Sequence, residues 1–496
     1  MTRCATLLLT VAGAAAVATA PAAAVAATGD PCPRSRDLDV GRTSGPYYAT
    51  VAPFEHHGSS RSQVFPATCA TSELPGRGPV RIRARRAPAD FSTPYTAATR
   101  DRDQLYVYGY GADAATQGAY VANVDPVSLR VRWRTRVPDA SPAGQWSYPG
   151  VLAVHGNGFV YAVYGNVLVK LDPGSGAVLA RRRLPEDPQG TGAAYNGLIV
   201  LPDGRIVTKG IERGPCQSGA PAPGVPASAG AFAGLTCAVR NALPSHLVVV
   251  DPVQLKVLST VTPPEPVTGR VTFGALDGRG YVYAAGRDNL FRFRYAHGAL
   301  ALDRGWGPVR YRTGGELPGT GPGLLGGFLV VQTNFLPSTE PLTVTAVSVR
   351  DARRVFRSRP FAAVAARGSW ILSKPALDAA NGTVVTHDSS AGQMAALHLD
   401  PRRGFTVRWR RALTSLDFSA LVGPARDREI VIPDHTSAGD QVVWLDERTG
   451  RVRARSAPLS QASAPGNIVT PGFGDRFTYL SGDGRLWELR PVRGAR

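Results

Sequence analysis

An all-β fold, an eight-bladed β-propeller of four-stranded blades, is what this sequence predicts, and three observations predict it. Apolar strands joined by tight Gly/Asp/Asn turns recur about every 50 residues, the scale of one propeller blade. Arginine-rich strands return beside them: "RVRWRTRV" from Arg130, "VLARRRL" from Val178, "TVRWRRAL" from Thr406 and "RVRARSAPL" from Arg451. One more such strand, "VRIRARRAP" from Val80, stands alone before the first unit, while the last unit ends in "GRLWELRPV" without an outer strand. Val80 to Arg86 should therefore complete the final blade, which ties the termini together and removes an open sheet edge.

The N-terminus reads as a secretory signal over residues 1–27. Arg3 supplies the positive start, "ATLLLTVAGAAAVATA" the apolar stretch and "AVAA" the small-residue cleavage site. No later run is long and apolar enough to span a bilayer, so a secreted, monomeric protein is expected. Residues 28–78 form an extension ahead of the ring and 79–496 the propeller, with an insertion at 210–245. Without Cys4, the cysteines are Cys32, Cys69, Cys216 and Cys237. An even set in an exported chain favours two disulfides over a metal site, and proximity pairs Cys32 with Cys69 and Cys216 with Cys237.

Eight hairpins then follow in order, from "YTAATRDRDQLYVYG" at Tyr95 through "YNGLIVLPDGRIVTKG" at Tyr195 and "SKPALDAANGTVVTHD" at Ser373 to "VTPGFGDRFTYLSG" at Val469. Each is followed by a second hairpin, such as "LVKLDPGSGAVLARRRL" from Leu168 or "VVWLDERTGRVRARSAPL" from Val442. In these the Asp caps the turn and the Gly takes a positive φ. This "LD-x-x-[TS]-G-x-V" pattern, best kept at Asp172 to Gly176 and Asp446 to Gly450, resembles the repeat of the quinoprotein-like (PQQ-like) β-propeller superfamily. The resemblance implies the fold and makes pyrroloquinoline quinone the cofactor to test. The sequence argues against it: quinoprotein alcohol dehydrogenases carry a disulfide between adjacent cysteines, and no two cysteines are adjacent here. No cofactor is predicted.

The formal charge is +19, and lysine occurs only at 170, 209, 256 and 374, so arginine carries nearly all of it. A GC-rich coding sequence gives such a bias without function. The functional reading is a partner that is an anionic extracellular polymer or a small molecule; nucleic acid does not suit an exported protein. In strand register Arg130, Arg132, Arg134 and Arg136 face away from Val131, Trp133, Thr135 and Val137. Charge on an outermost strand then discourages edge-to-edge pairing.

Propeller ligands sit at one mouth of the central channel. The loops expected there carry the ligand-binding candidates Trp146, Asn196, Lys209, Arg270, Asn334, Trp370 and Lys374. The three cations suit a carboxylate or sulfate, and the two tryptophans could stack on a ring or plug the channel. The catalytic candidates are "THD" at His387 and Asp388 and "PDH" at Asp434 and His435, equivalent places in successive blades. Together they could act as an acid/base couple or hold a divalent metal; the alternative is ordinary turn residues with solvated histidines. His56 and His57, in "PFEHHGSS", read as a solvated loop. Three functions stay open: a binding module or scaffold, a lyase or hydrolase using the His/Asp group, and a structural protein with a plugged channel.

Overall fold

The computed structural model describes residues 32–41, 45–92, 94–111, 118–137, 149–186, 193–212, 243–267, 269–313, 316, 319–334, 341–362, 374–389, 391–415, 417–461 and 469–494. They form eight sheets, the blades of one ring, antiparallel except where Val64–Phe65 of the extension adds parallel to the innermost strand of blade 7. Blade 1 runs outward from the axis through Pro94–Thr99, Leu105–Gly111, Gly118–Val124 and Val131–Val137. The innermost strands of blades 2 to 8 are Pro149–Val154, Ala193–Val200, Thr272–Leu276, Gly323–Leu325, Ala376–Asp378, Ala420–Val422 and Thr470–Pro471. Among the described residues helix is confined to short turns such as Pro33–Arg36, and no helix is long and apolar enough to cross a membrane.

The ring closes as its sequence demands. Val80–Asp90 is the outermost strand of blade 8 and pairs antiparallel with Arg485–Arg493, Val80 opposite Arg493 and Arg86 opposite Trp487. The alternation within the arginine strands also holds. Arg132, Arg134 and Arg136 are exposed, while Trp133 turns inward against Tyr106, ring centroids 5.8 Å apart.

That tryptophan explains the turn glycines. Gly176 of blade 2 has φ +75°, and a Cβ there would meet Trp133 of blade 1 at 2.5 Å. Gly450 of blade 7 has φ +67° and stands in the same relation to Trp409 of blade 6 at 2.7 Å. The repeat glycine thus serves a left-handed turn and a socket for the neighbouring blade's indole. Asp172 and Asp446 cap those turns, each accepting backbone N–H groups two or three residues on. Apolar layers fill the space between blades, for example Tyr108, Val121, Leu152 and Val169 between blades 1 and 2.

The N-terminal extension departs most from expectation. From Ala52 to Cys69 it circles the axis once, meeting the innermost strands of blades 1 to 7 in order and then the turn after the innermost strand of blade 8. The N–H of Thr99 (blade 1) donates to the Ala52 carbonyl at 2.8 Å, and that of Val154 (blade 2) to Pro53 at 2.8 Å. The Val200 N–H of blade 3 donates to the Tyr47 hydroxyl at 3.1 Å. Phe273, Leu324, Leu377 and Leu421, in blades 4 to 7, donate to the carbonyls of Ser59, Ser60, Ser62 and Gln63 at 2.8–3.0 Å. Blade 8 is reached when the Thr68 hydroxyl donates to the Gly472 carbonyl at 3.0 Å and the Cys69 N–H to Gly474 at 3.1 Å. Left-handed backbone at His57, Arg61 and Gln63 (φ +68°, +54° and +64°) turns the chain as it goes round. Each such residue costs about 1–3 kcal/mol and persists because the surrounding contacts over-determine it.

One contact of the extension is pH-sensitive. The Glu429 carboxylate accepts from the Thr71 N–H at 2.8 Å and the Thr71 hydroxyl at 2.5 Å, yet burial raises its pKa from 4.5 to about 7. A raised acid binds its proton in the folded state where the unfolded chain has lost it. Its contribution is therefore complete below pH 4.5 and lost as pH rises through about 7. Glu429→Gln should remove about 3 kcal/mol of stability difference between those limits. Urea unfolding from pH 4.5 to 8 checks this, and a wild-type slope that survives the substitution would refute it.

Candidate functional site

The channel axis is filled by side chains of the circling extension, and the cationic candidates converge on them. Glu55, fully buried, accepts from Arg270 Nε at 2.7 Å and Nη2 at 3.3 Å and from Arg61 Nη1 at 3.3 Å. Arg270, at the start of blade 4, also donates to the Tyr95 hydroxyl of blade 1, three blades away round the ring. Arg61 comes from the extension itself. Its Nε donates to the Val271 carbonyl at 2.5 Å and its Nη2 to Gly197 at 2.8 Å, with its guanidinium 5.0 Å over the Phe54 ring. His56 lies 3.3 Å from Glu55 and edge-on to Phe418, centroids 5.1 Å apart.

Both candidate lysines are fully buried too. Lys209 Nζ donates to the Val267 carbonyl at 3.0 Å, and Lys374 Nζ to Arg61 and, at 3.1 Å, to Pro375. Burial, then repulsion from Arg270 and Arg61, drives both ammonium pKa values well down. Burial alone would raise the Glu55 carboxyl, but Arg270 leads the charged neighbours that hold it well below the usual carboxylate range. The cations at this mouth do suit a carboxylate, and the carboxylate beside Arg270 is the chain's own.

His56 corrects a sequence expectation. It is not solvated but fully buried, and burial pushes its pKa well down. His57, partly covered, is lowered to about 4 for the same reason. The acidic neighbour of His56 is the adjacent Glu55. Its own partner Arg270 lies 215 residues away, so no local signal could have linked them.

The four His/Asp candidates occupy the second strands of blades 6 and 7, Thr383–Asp388 and Glu429–Thr436. His387 is buried and lowered to about 4 by desolvation. The Asp388 carboxylate accepts from the Ala391 N–H at 3.3 Å. Asp434 accepts from the Thr414 N–H at 3.0 Å and from Arg455 at 3.2 Å, and His435 pairs through Nδ1 with Asp440. These partners of Asp434 and His435 come from blade 7 and from the loop between blades 6 and 7. Among the described residues, three or more ligand atoms of the metal-binding kind come within 4.8 Å of one another only at Cys32, Cys69 and Glu73. The structure therefore brings Cys32 and Cys69 together, beside a carboxylate that Arg34 grips with both terminal nitrogens.

Asn334 is buried, its amide 3.4 Å from the Thr320 hydroxyl, and Asn196 is buried opposite Lys209 in blade 3. Trp146, Trp370, Cys216, Cys237 and residues 1–27 lie outside the described residues.

No protein-family model matches the sequence, and no curated protein matches it. Solved structures do match in shape. Quinohemoprotein alcohol dehydrogenase from Comamonas testosteroni superposes with a TM-score of 0.58 at 10% identity, over 92% of this chain and 82% of that one. The Dos1 propeller gives 0.51 at 10% identity, over 84% of this chain and 95% of the other. At that identity the likeness is one of fold. In fold, this chain is an eight-bladed β-propeller of four-stranded blades, similar in shape to these structures.

Proposed function

We infer that the protein is an exported binding scaffold for an extracellular small molecule or anionic polymer, and not an enzyme with a cofactor on the propeller axis. The observation that carries this reading is the Glu55–Arg270 pair, fully desolvated at the centre of the ring. The axial residues do not fit pyrroloquinoline quinone. A planar quinone there would need the volume that Phe54, Glu55, His56, Arg61 and Phe418 fill, every one of them buried. A lyase or hydrolase at the His/Asp candidates has less support, because Asp434 and His435 are already bonded to Thr414, Arg455 and Asp440. In the same reading, export into an oxidising compartment joins Cys32 to Cys69 and fastens the start of the extension.

The test uses the mature chain in two measurements. Titration with pyrroloquinoline quinone and calcium should give no saturable absorbance change and no alcohol-dependent reduction of a dye. Incubation with acidic polysaccharides should give retention without new chain ends. Quinone-dependent dye reduction, or turnover of a retained polymer, would sink the scaffold reading.

A further inference from the structure

Away from the axis, blades 4 and 5 build a concavity on the outer side of the ring. Blade 4's outermost strand is broken. Ala299–Leu302 pairs with Phe293 to Ala296, Val309–Arg310 pairs with Asn289 and Leu290, and Asp303 to Pro308 bulge between. The bulge is pinned to blade 5. Trp306 is buried and its Nε1 donates to the Ser348 carbonyl at 3.0 Å, while Arg292 joins Asp303 at 2.8 Å to the Val349 carbonyl. Facing it are the turn that follows blade 5's third strand and the strand after that turn. Between them lies a groove of about 750 Å³, within the size range of ligand sites.

Five exposed arginines line it, Arg304 and Arg310 from blade 4 and Arg350, Arg353 and Arg357 from blade 5, with Asp351 as the only carboxylate among the described residues of the lining. Arg350 is held by a two-point pair with Asp277 at 2.7 and 2.8 Å, and Arg357 reaches across to the Arg310 carbonyl at 2.7 Å. Elsewhere the outer-strand arginines stand in open rows, several paired within their own blade or hairpin, as Arg132 with Asp125, Arg85 with Glu488 and Arg453 with Asp446. Here they converge on a hollow, Arg353 paired with Asp351 of its own turn at 3.1 Å, and the lining also includes Gly305, Gly307, Pro308 and Val309.

We propose that this groove is a binding site for an acidic oligosaccharide chain. Guanidinium forks match sulfate and carboxylate groups at two points, and the small uncharged residues of the lining leave room for the carbon faces of sugar rings. A bare polyphosphate would use the arginines but not those residues. The proposal rests on the scaffold reading for its setting, and its test separates the two.

The mature chain is titrated calorimetrically with a heparin-derived hexasaccharide at two salt concentrations. Arg304→Glu/Arg353→Glu should weaken binding at least about tenfold and flatten the salt dependence, because fewer counter-ions are released. Arg81→Glu/Arg83→Glu on blade 8 carries the same change of charge and should alter binding less than about twofold. All four side chains are exposed, so both variants should keep the wild-type melting temperature, and Arg304→Gln/Arg353→Gln should fall between. Equal losses in the two Glu variants, no binding by the wild type, or polyphosphate binding as tightly as the hexasaccharide would each overturn the proposal. Cleavage of the hexasaccharide would instead sink the scaffold reading, whichever variant lost affinity.

Discussion

Arg270→Met should lower the stability of the protein by about 3–5 kcal/mol, the cost of stripping one partner from a buried ion pair. Glu55 would keep Arg61 at 3.3 Å but lose the closer contact at 2.7 Å, in a place where water cannot replace it. Glu55→Leu alone should cost a comparable amount, because it leaves Arg61 and Arg270 buried beside Lys374 without their carboxylate. The double variant Glu55→Leu/Arg270→Met should recover only the share due to Arg270, since two apolar side chains can replace a buried pair at little net cost but Arg61 stays buried without its carboxylate. The same residues set an acid limit. A carboxyl whose folded pKa is depressed contributes stability above its unfolded value of 4.5, lost as pH falls through the folded one. In Arg270→Met that acid sensitivity should shrink. Urea unfolding of the three variants at pH 7 and pH 4 measures both effects. A loss below about 1 kcal/mol in Arg270→Met, the scale of an exposed pair, would refute the assignment of this pair as the keystone of the axis.

Much of the fold was legible because the repeat carries it. Period-2 alternation in "RVRWRTRV" placed Trp133 inward and its arginines outward, and turn chemistry placed Gly176 and Gly450 at positive φ. The lone strand at Val80 found its place through a deficit at the other end of the chain. The axis was legible only in part. Arg270, Lys209 and Lys374 were singled out as cations suited to a carboxylate, but the residue that meets Arg270 sits in a segment with no repeat and no periodicity. Glu55 looks there like any loop glutamate. What makes it central is closure of a ring that brings residues 55, 95 and 270 to one point. The blade 4–5 groove was hidden for another reason: "LDRGWGPV" from Leu302 fills the place of the turn motif, and only its three-dimensional break turns surface arginines into a hollow.

The extension also sets the largest effect expected from any change to the chain. A chain beginning at Pro79 keeps the closing strand but loses the residues that circle the axis. Val51, Ala52, Phe54 and Phe65 are buried to within 1% of their surface. At about 1.5–3 kcal/mol for each large apolar side chain, their removal with the attached hydrogen bonds should cost more than about 5 kcal/mol, the lower end of a whole domain's stability. Lys209, Arg270 and Lys374 would then face one another without Glu55. This chain should bind a hydrophobic dye and lose its cooperative thermal transition, and a synthetic peptide of residues 45–74 added in trans should restore that transition. A chain beginning at Phe91 lacks Val80–Asp90 as well. It leaves Arg485–Arg493 as an unpaired edge and should pass into aggregates that the peptide cannot rescue. A chain from Pro79 that melted within a few degrees of the full-length protein would show that the ring stands without its plug, and the charged axis would then have to be read as an accessory to the fold.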